Sequence, residues 1–571
     1  MKEMSDQTRG IVFVVLVVLV TFVWMHFFAP PTPPQKPATA VQSAPAQAGG
    51  GKAAPETAVG AGTAAATSAP TNVKPVEAKA ETTIAVDSTL YHVELSNRGG
   101  VVRSWKLKKY LDEEKPPKPL DLVNPDAAQE LGWPFSLVMT DKDLEAEANS
   151  ALYEMTPSEE TVPAPADLTF HWSNGHLDVT KKFTFTQNYQ LSIDVAAALD
   201  GKPLRVGVAW LGGFGDRAAF GESQLLTAFY KQNGKLNTLA SKKLGTPGNQ
   251  IEPFERPGPM EWAGIQDQFF TATFIPNGTD VSSWDWTQWH HFTENNQAAS
   301  EPEAEVAVGG VLAGPVKLRA YVGPKDLSIL EKVHPSLEEL VQFGWFGVIA
   351  KPLLFALEWM HKYIPNYGWS IVVFTLAITM VLLPIRIWTF HSQRKMQMVA
   401  PEIKSIQDKY KKYSMSDPRK RKMNEEVMAV YQREGINPLG SCLPMLAQLP
   451  ILWAFYRMLN GAIELRHAPW IWWIHDLSAK DPYYVLPILM GLTSYLVTKI
   501  TPMPTATVDP AQQRMMAFMP LFMSVIFLRL SSGLNLYYFT SNLIGVAQQW
   551  YLNRSQPLPS RSKFKNNKKK E

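Results

Sequence analysis

Cysteine is almost missing. A chain of 571 residues carries one, Cys442, so no intramolecular disulfide forms in any compartment. Cys442 sits in an apolar run and reads as a small hydrophobe. A phosphate-loop sequence is also missing, and with it any reason to expect nucleotide-driven work. Metal-ligand spacing is missing too: His92, His171, His176, His290 and His291 show none. His290 and His291 are adjacent and would point to opposite faces of a strand. All five read as surface or loop histidines. No catalytic residue, metal or cofactor is expected, and the chain does not read as an enzyme. Net charge is only +3, which gives no reason to expect DNA as a partner. Charge is absent from several long blocks. Basic residues gather in a central segment and at the C-terminus.

The first charge-free block runs from Gly10 to Gln35, with an apolar core of about 18 residues, Ile11 to Phe28. That core is long enough to cross a hydrocarbon layer of about 30 Å. Its exit is bulky (Trp24, Met25, His26, Phe27, Phe28), which suits an interfacial aromatic belt better than a cleavage site. Residues 1–28 therefore read as an uncleaved signal anchor, with Lys2 and Arg9 holding the N-terminus in the cytoplasm. Residues 29–81 are rich in Ala, Pro, Thr and Gly and read as a flexible tether, because they bury too little surface to offset their ordering entropy.

Residues 82–330 have a different texture. Leu90 to Ser96 alternates and ends at Asn97-Arg-Gly-Gly, and Val101 to Leu107 follows, which reads as two strands joined by a Gly-containing turn. Val179–Phe185, Leu191–Ala197, Leu204–Trp210 and Val316–Val322 also read as strands. Long helical periods are absent, so an all-β sandwich of about 240 residues is expected. Ser336 to Lys362, within residues 331–362, reads as one amphipathic helix on the membrane surface, kinked at Pro352. Lys351, Glu358 and Lys362 share a face, and Trp345, Phe346, Phe355 and Trp359 supply apolar bulk.

Residues 363–553 hold further charge-free runs: Tyr363–Ile385, Gly435–Tyr456, Pro482–Thr498 and Leu530–Asn553, with a shorter one at Met515–Leu528. Between the first two, His391 to Glu434 holds 11 Lys/Arg against 6 Asp/Glu, and residues 554–571 hold 7 against one. Both segments should be cytoplasmic by the positive-inside rule. An even number of spans is then required, and six satisfy it. The expected fold is a polytopic α-helical membrane protein of six spans, five of them forming a core, with a large extracytoplasmic β sandwich. The 17- and 14-residue runs are short and would thin the bilayer locally. Residues 391–434 read as a helical hairpin with Ile403, Ile406 and Tyr410 on one arm and Met423, Val427, Val430 and Tyr431 on the other. Asp417-Pro418 is a helix-start signal for the second arm.

Three stretches carry a resemblance. They are Asn437-Pro-Leu-Gly-Ser-Cys-Leu-Pro-Met-Leu-Ala-Gln-Leu-Pro-Ile-Leu-Trp-Ala-Phe-Tyr456; Leu465-Arg-His-Ala-Pro-Trp continuing through Trp473-Ile-His-Asp-Leu-Ser to Asp481-Pro-Tyr-Tyr-Val-Leu-Pro-Ile-Leu-Met-Gly491; and Phe518-Met-Pro with Ser532-Gly-Leu-Asn-Leu-Tyr-Tyr538 and Ser541-Asn-Leu. Over about 200 residues the chain resembles the YidC/Oxa membrane insertase family, and the β domain after the first span resembles its Gram-negative YidC branch. The resemblance implies a bacterial inner-membrane protein with a periplasmic β domain and cytoplasmic termini. It also implies a chaperone that receives nascent membrane proteins in a hydrophilic groove, alone or with the Sec translocon, and releases them into lipid.

The residues give a groove some independent support. Asn535, Tyr538, Asn542 and Gln549 share one face of the last span; Thr375, Thr379 and Arg386 share one face of the second; Gln448 lies inside the third. Polar side chains in lipid turn toward the bundle interior or water, either to line a groove or to hold helices together. One departure stands out. The family usually carries an arginine about five residues before the second-span proline; that proline is Pro384 here, and the position holds Thr379. Arg386, about 10 Å further along the axis, either supplies the groove's charge from lower down or snorkels at the cytoplasmic interface. The tail residues Arg561, Lys563, Lys565, Lys568, Lys569 and Lys570 suit anionic membrane lipids or ribosomal RNA phosphates, and the hairpin offers a second basic contact for a ribosome. A solute transporter and a tethered carbohydrate-binding or enzymatic β domain are the competing readings. The first lacks an internal repeat among the spans, and the second leaves the membrane core unexplained.

Overall fold

The computed structural model describes residues 74–112, 116–216, 226–240, 251–256, 258, 260–278, 281–294, 297–341, 343–413, 417–435, 443–501, 522 and 524–555. The anchor, the tether up to residue 73, Cys442, most of the Met515–Leu528 run and the basic tail lie outside the described residues.

Alternation builds the β domain. In Leu177–Phe185 the buried set is Leu177, Val179, Lys181, Phe183 and Phe185, every second residue of a pleated strand. Among the described residues the strands form three sheets rather than the two of a simple sandwich. The first has, in order, Pro119–Asp121, Val101–Leu111, Tyr91–Ser96, Thr83–Asp87 and Thr161–Pro163. The second has ten strands. Its path runs Lys235–Ala240, Thr227–Gln232, Met260–Gln266, Phe270–Pro276, Val316–Pro324, Gln190–Leu199, Leu177–Phe185, Ala166–Ser173 and Glu154–Thr156, with Lys202–Pro203 paired beside Gln190–Leu199. The third is Ile251–Arg256, Val281–Glu294, Gln297–Gly310, Val206–Trp210 and Ser136–Met139. Its two 14-residue strands pair along their whole length and seed a separate sheet. Helices α1 (Pro125–Leu131), capped by Asn124, and α2 (Lys142–Ser150), capped by Asp141, flank Ser136–Met139.

Phe135 joins the three sheets. Its ring meets Trp105 of the first, Phe183 and Phe274 of the second and Trp210 of the third, at centroid distances of 6.4, 5.6, 6.1 and 5.8 Å. Lys181, the one charge on its strand's buried face, is satisfied there: Nζ donates to the carbonyls of Gly99, Gly100 and Phe135 at 2.6, 3.2 and 2.9 Å. The histidine reading needs correcting. His290 is buried in a strand, and both His290 and His291 reach the Glu130 carboxylate of α1, at 2.9 and 2.7 Å.

Helix α3 (Leu327–Val333) leaves the last strand. The single helix expected over Ser336–Lys362 is instead three pieces: 3-10 turns at Pro335–Val341 and Gly344–Phe346, then α4 (Gly347–His361). The break falls at Gly344, whose φ of +58° an α-helix does not accept, and Pro352 lies within α4. The first core run is also broken. Helix α5 (Tyr367–Val381) ends at Leu382 and α6 (Leu383–Tyr410) begins with Pro384, which has no N–H to continue the ladder. Tyr367–Val381 and Arg386–Tyr410 differ in direction by 59°. Among the described residues no single helix is both long and apolar enough to cross a membrane, although this bent pair is when taken together. Helix α7 (Arg419–Arg433) folds back on α6 through Met396, Val399, Ile403, Val430 and Tyr431. Asp417 accepts the Arg419 amide at 2.9 Å, and Pro418 stands just before the helix. Further helices among the described residues are α8 (Leu443–Gly461), α9 (Val485–Ile500) and α10 (Ser532–Ser555).

Candidate functional site

Helices α5, α8, α9 and α10 meet in a bundle whose two ends differ in chemistry. At the end nearer the β domain the packing is aromatic and dry. Phe374 of α5 lies 5.7 Å from Phe455 of α8, which stacks at 4.0 Å on Tyr537 of α10. Ile371, Met458, Leu486, Met490 and Leu534 are buried around them.

Residues 462–484 close this end. Asn366 caps α5 and donates to the carbonyls of Pro469 and Trp470 at 3.1 and 3.2 Å. Gly368 packs so closely on Trp470 that a Cβ would stand 2.1 Å from the indole. Asp481, fully buried, accepts from Trp473 Nε1 at 3.0 Å and from the Leu486 amide in the first turn of α9 at 2.7 Å. Gly533 N–H donates to Leu477 O at 2.8 Å, which fastens the start of α10. The segment is locked to the β domain by Arg466. Its guanidinium donates through Nε to Asp216 at 3.0 Å and through Nη2 both to Asp216 and to Leu111 O, the latter at 2.6 Å. Both side chains of the pair are 2 % exposed.

At the other end the contacts turn polar. Asn542 of α10 donates to Ser494 Oγ of α9 at 2.6 Å. Arg386 of α6 donates to Gln548 of α10 at 3.0 Å, so this guanidinium bridges helices rather than pointing away from the bundle. One turn on, Asn553 accepts from Arg394 at 3.2 Å and from Gln549 at 3.1 Å and donates to Ile500 O at 3.1 Å. Burial along α10 changes at Thr540: seven of its first nine residues are buried, and none beyond.

The residues singled out from sequence fall into three groups. Arg386, Tyr538 and Asn542 are half-buried; Asn542 lies in the polar half of α10, whereas Tyr538 lies in its covered stretch, edge-on to Phe527 at 4.8 Å. Thr375 and Thr379 are buried on α5, where Thr375 Oγ1 donates back to Ile371 O at 2.6 Å. Asn535 is fully buried at the dry end, and its amide serves the carbonyls of Phe527, Leu530 and Ser531 at 3.1–3.2 Å. Gln448 lies on α8, but its side chain is outside the described residues, as are the six basic residues of the tail. Sequence reasoning missed Arg394, Gln548 and Asn553. Their signal was the i, i+8 spacing from Arg386 to Arg394 and the amide-rich end of the last helix.

Known proteins bear on this architecture. The YidC periplasmic domain family matches residues 83–356, and the 60Kd inner membrane protein family matches residues 359–559. A membrane protein insertase YidC from Geobacter metallireducens is 32% identical over 561 residues, 96% of this chain and 98% of that protein. One from Methylobacillus flagellatus is 30% identical over 96% of this chain and 97% of its own. Among solved structures, an active YidC insertase with its first transmembrane domain resolved covers 84% of this chain and 95% of that one, at 18% identity and a TM-score of 0.34. Matched by both family profiles and aligned with full-length relatives nearly end to end, the chain belongs to the YidC family of membrane protein insertases, which are inner-membrane proteins with a periplasmic domain and are not enzymes.

Proposed function

We propose that this protein inserts other membrane proteins, receiving a transmembrane segment beside the polar half of the bundle and releasing it sideways into lipid. One observation carries the reading: the bundle is aromatic and capped by residues 462–484 at one end, and half-buried and polar at the other. A client segment has polar flanks that resist desolvation, and Arg386, Tyr538, Asn542 and Gln448 offer them partners. Thr375, Thr379 and Asn535 complete the proposed lining on its covered side. The client's own apolar surface then drives it into lipid. The wider proposal has six spans, with both termini and the α6–α7 hairpin in the cytoplasm and α4 along the periplasmic membrane surface. The Sec translocon is a partner for some clients. Ribosomes dock through the basic hairpin and tail.

Photo-crosslinkers at Gln448, Tyr538 and Asn542 test this. Capture of a nascent client at all three positions in liposomes holding only the purified protein is the expected result. Crosslinks to lipid alone would sink the proposal.

A further inference from the structure

A cavity of about 600 Å³ lies where the β domain, the linker before α4 and the end of α8 meet. Arg457, Lys351, Glu338, Glu339, Phe343 and Val348 are among its lining residues. Glu338 is held by Lys351, while Glu339 shares Lys231 with Glu261, at 2.8 and 3.5 Å. Arg457 is different. Among the described residues it has no ion-pair or hydrogen-bond partner, and it is half-buried one turn before the end of α8. Among the described residues the cavity therefore holds one unpaired guanidinium.

Its rim is apolar on one side. On α4, Ala350, Leu354 and Leu357 are buried against the protein. Val348, Phe355 and Trp359 form a second stripe at i, i+7 and i+11, and they are 86%, 45% and 57% exposed. An α-helix with an uncovered apolar stripe flanked by Lys351, Glu358 and Lys362 is suited to the membrane surface, its stripe in hydrocarbon and its charges at the headgroups. An unpaired guanidinium in a cavity opening beside that stripe matches a phosphodiester that carries an acyl chain.

We infer that this cavity binds a phospholipid of the outer leaflet, its phosphodiester on Arg457 and an acyl chain along Val348, Phe355 and Trp359. One guanidinium meets one phosphodiester charge, and charge-assisted bonds of this kind favour arginine over lysine without excluding lysine. The inference rests on the proposed placement of α4 at the membrane surface. A bound lipid would fix the height of α4, and with it the β domain above, relative to the bilayer.

The test uses the full chain in liposomes containing a phosphatidylethanolamine with a diazirine near the glycerol end of one acyl chain. Crosslinked peptides are mapped by mass spectrometry. The wild type should give adducts on the Val348–Lys351 stretch. Arg457→Gln should lower their yield about tenfold, Arg457→Lys should restore most of it, and millimolar inorganic phosphate should not compete. Equal yields in the wild type and Arg457→Gln would overturn the inference, as would competition by inorganic phosphate, which would make the site one for free phosphate. Adducts at Phe355 and Trp359 separate the two ideas. If they form without any dependence on Arg457, α4 lies on the membrane and only the headgroup site fails. If they are absent, the placement of α4 fails as well.

Discussion

Replacing Arg466 by alanine would take the guanidinium away from Asp216, whose side chain is 2 % exposed, and retain a carboxylate where water cannot reach it. Removing one member of a buried pair costs about 3–5 kcal/mol, because the survivor keeps its desolvation penalty. The Leu111 carbonyl and the face of Phe270, 5.5 Å from the guanidinium, lose their contact as well. The loss should concentrate on the seating of residues 462–484 against the β domain, where the broken bonds lie. Native-state hydrogen exchange reads this directly, through the amides of Leu465, Arg466, Ala468 and Leu477, which bond within the segment. They should exchange on the order of 10²–10³-fold faster in Arg466→Ala, while amides of the Leu177–Phe185 strand keep their rates. Arg466→Lys should fall between, having lost the two-nitrogen grip. A double replacement, Arg466→Met with Asp216→Leu, should recover much of the loss, since an apolar pair carries no buried charge. If the single variant changes exchange less than fivefold, or the double variant is worse than the single, the pair does not hold the segment and the reasoning fails.

Two further outcomes follow from charge. Burial lifts the Glu305 carboxyl to about 8, partly offset by bonds from the Gly212 amide and Gln288. The folded state therefore keeps a proton that the unfolded state releases near 4.5, so this stabilisation is complete below that pH and is lost as pH rises through about 8. Resistance of the β domain to pulse proteolysis in urea should fall from pH 5 to pH 8, and Glu305→Gln should flatten most of that slope. Asp267, raised by burial to about 6, will leave a residue of the same sign; an unchanged slope in Glu305→Gln would place the titration elsewhere. Removing residues 560–571 should weaken ribosome co-sedimentation at low salt and spare insertion of ribosome-independent clients. Loss of retention on anionic liposomes with ribosome binding intact would make the tail a lipid anchor instead.

What could be read in advance was local. The turn at Asn97–Gly100 was legible because Gly99 and Gly100 take φ of +72° and +57°, the backbone that a four-residue hairpin loop demands. The strands at Val179–Phe185 and Val316–Val322 were legible because period-2 burial writes itself into sequence. The hairpin arms showed their stripes for the same reason, at helical period. What escaped depends on partners distant along the chain. Arg466 and Asp216 are 250 residues apart, and nothing in either neighbourhood names the other. Third-sheet membership depends on which strand edges meet. Hydropathy alone reads Tyr363–Ile385 as one charge-free block, yet the ladder bends there because Pro384 lacks a donor. Asn535 and Asn542 share a helical face, but the helix crosses from a sealed environment to an open one between them, a change that spacing cannot encode.

A voltage does not fall evenly across a barrier of uneven dryness. The covered stretch of α10, Ser532 to Thr540, spans about 13 Å at 1.5 Å per residue, less than half of a hydrocarbon layer about 30 Å thick. Where water reaches the polar half, the membrane potential drops mainly across the covered half. The field there is then more than twice that of intact bilayer. The work on a charge that crosses is fixed, about 2.3 kcal/mol per 100 mV, but it is delivered over less than half the distance. An acidic side chain and a basic one on the same moving loop would be pulled in opposite senses with doubled force. On the proposed insertion reading, the short sealed end would sort the charges of whatever passes it.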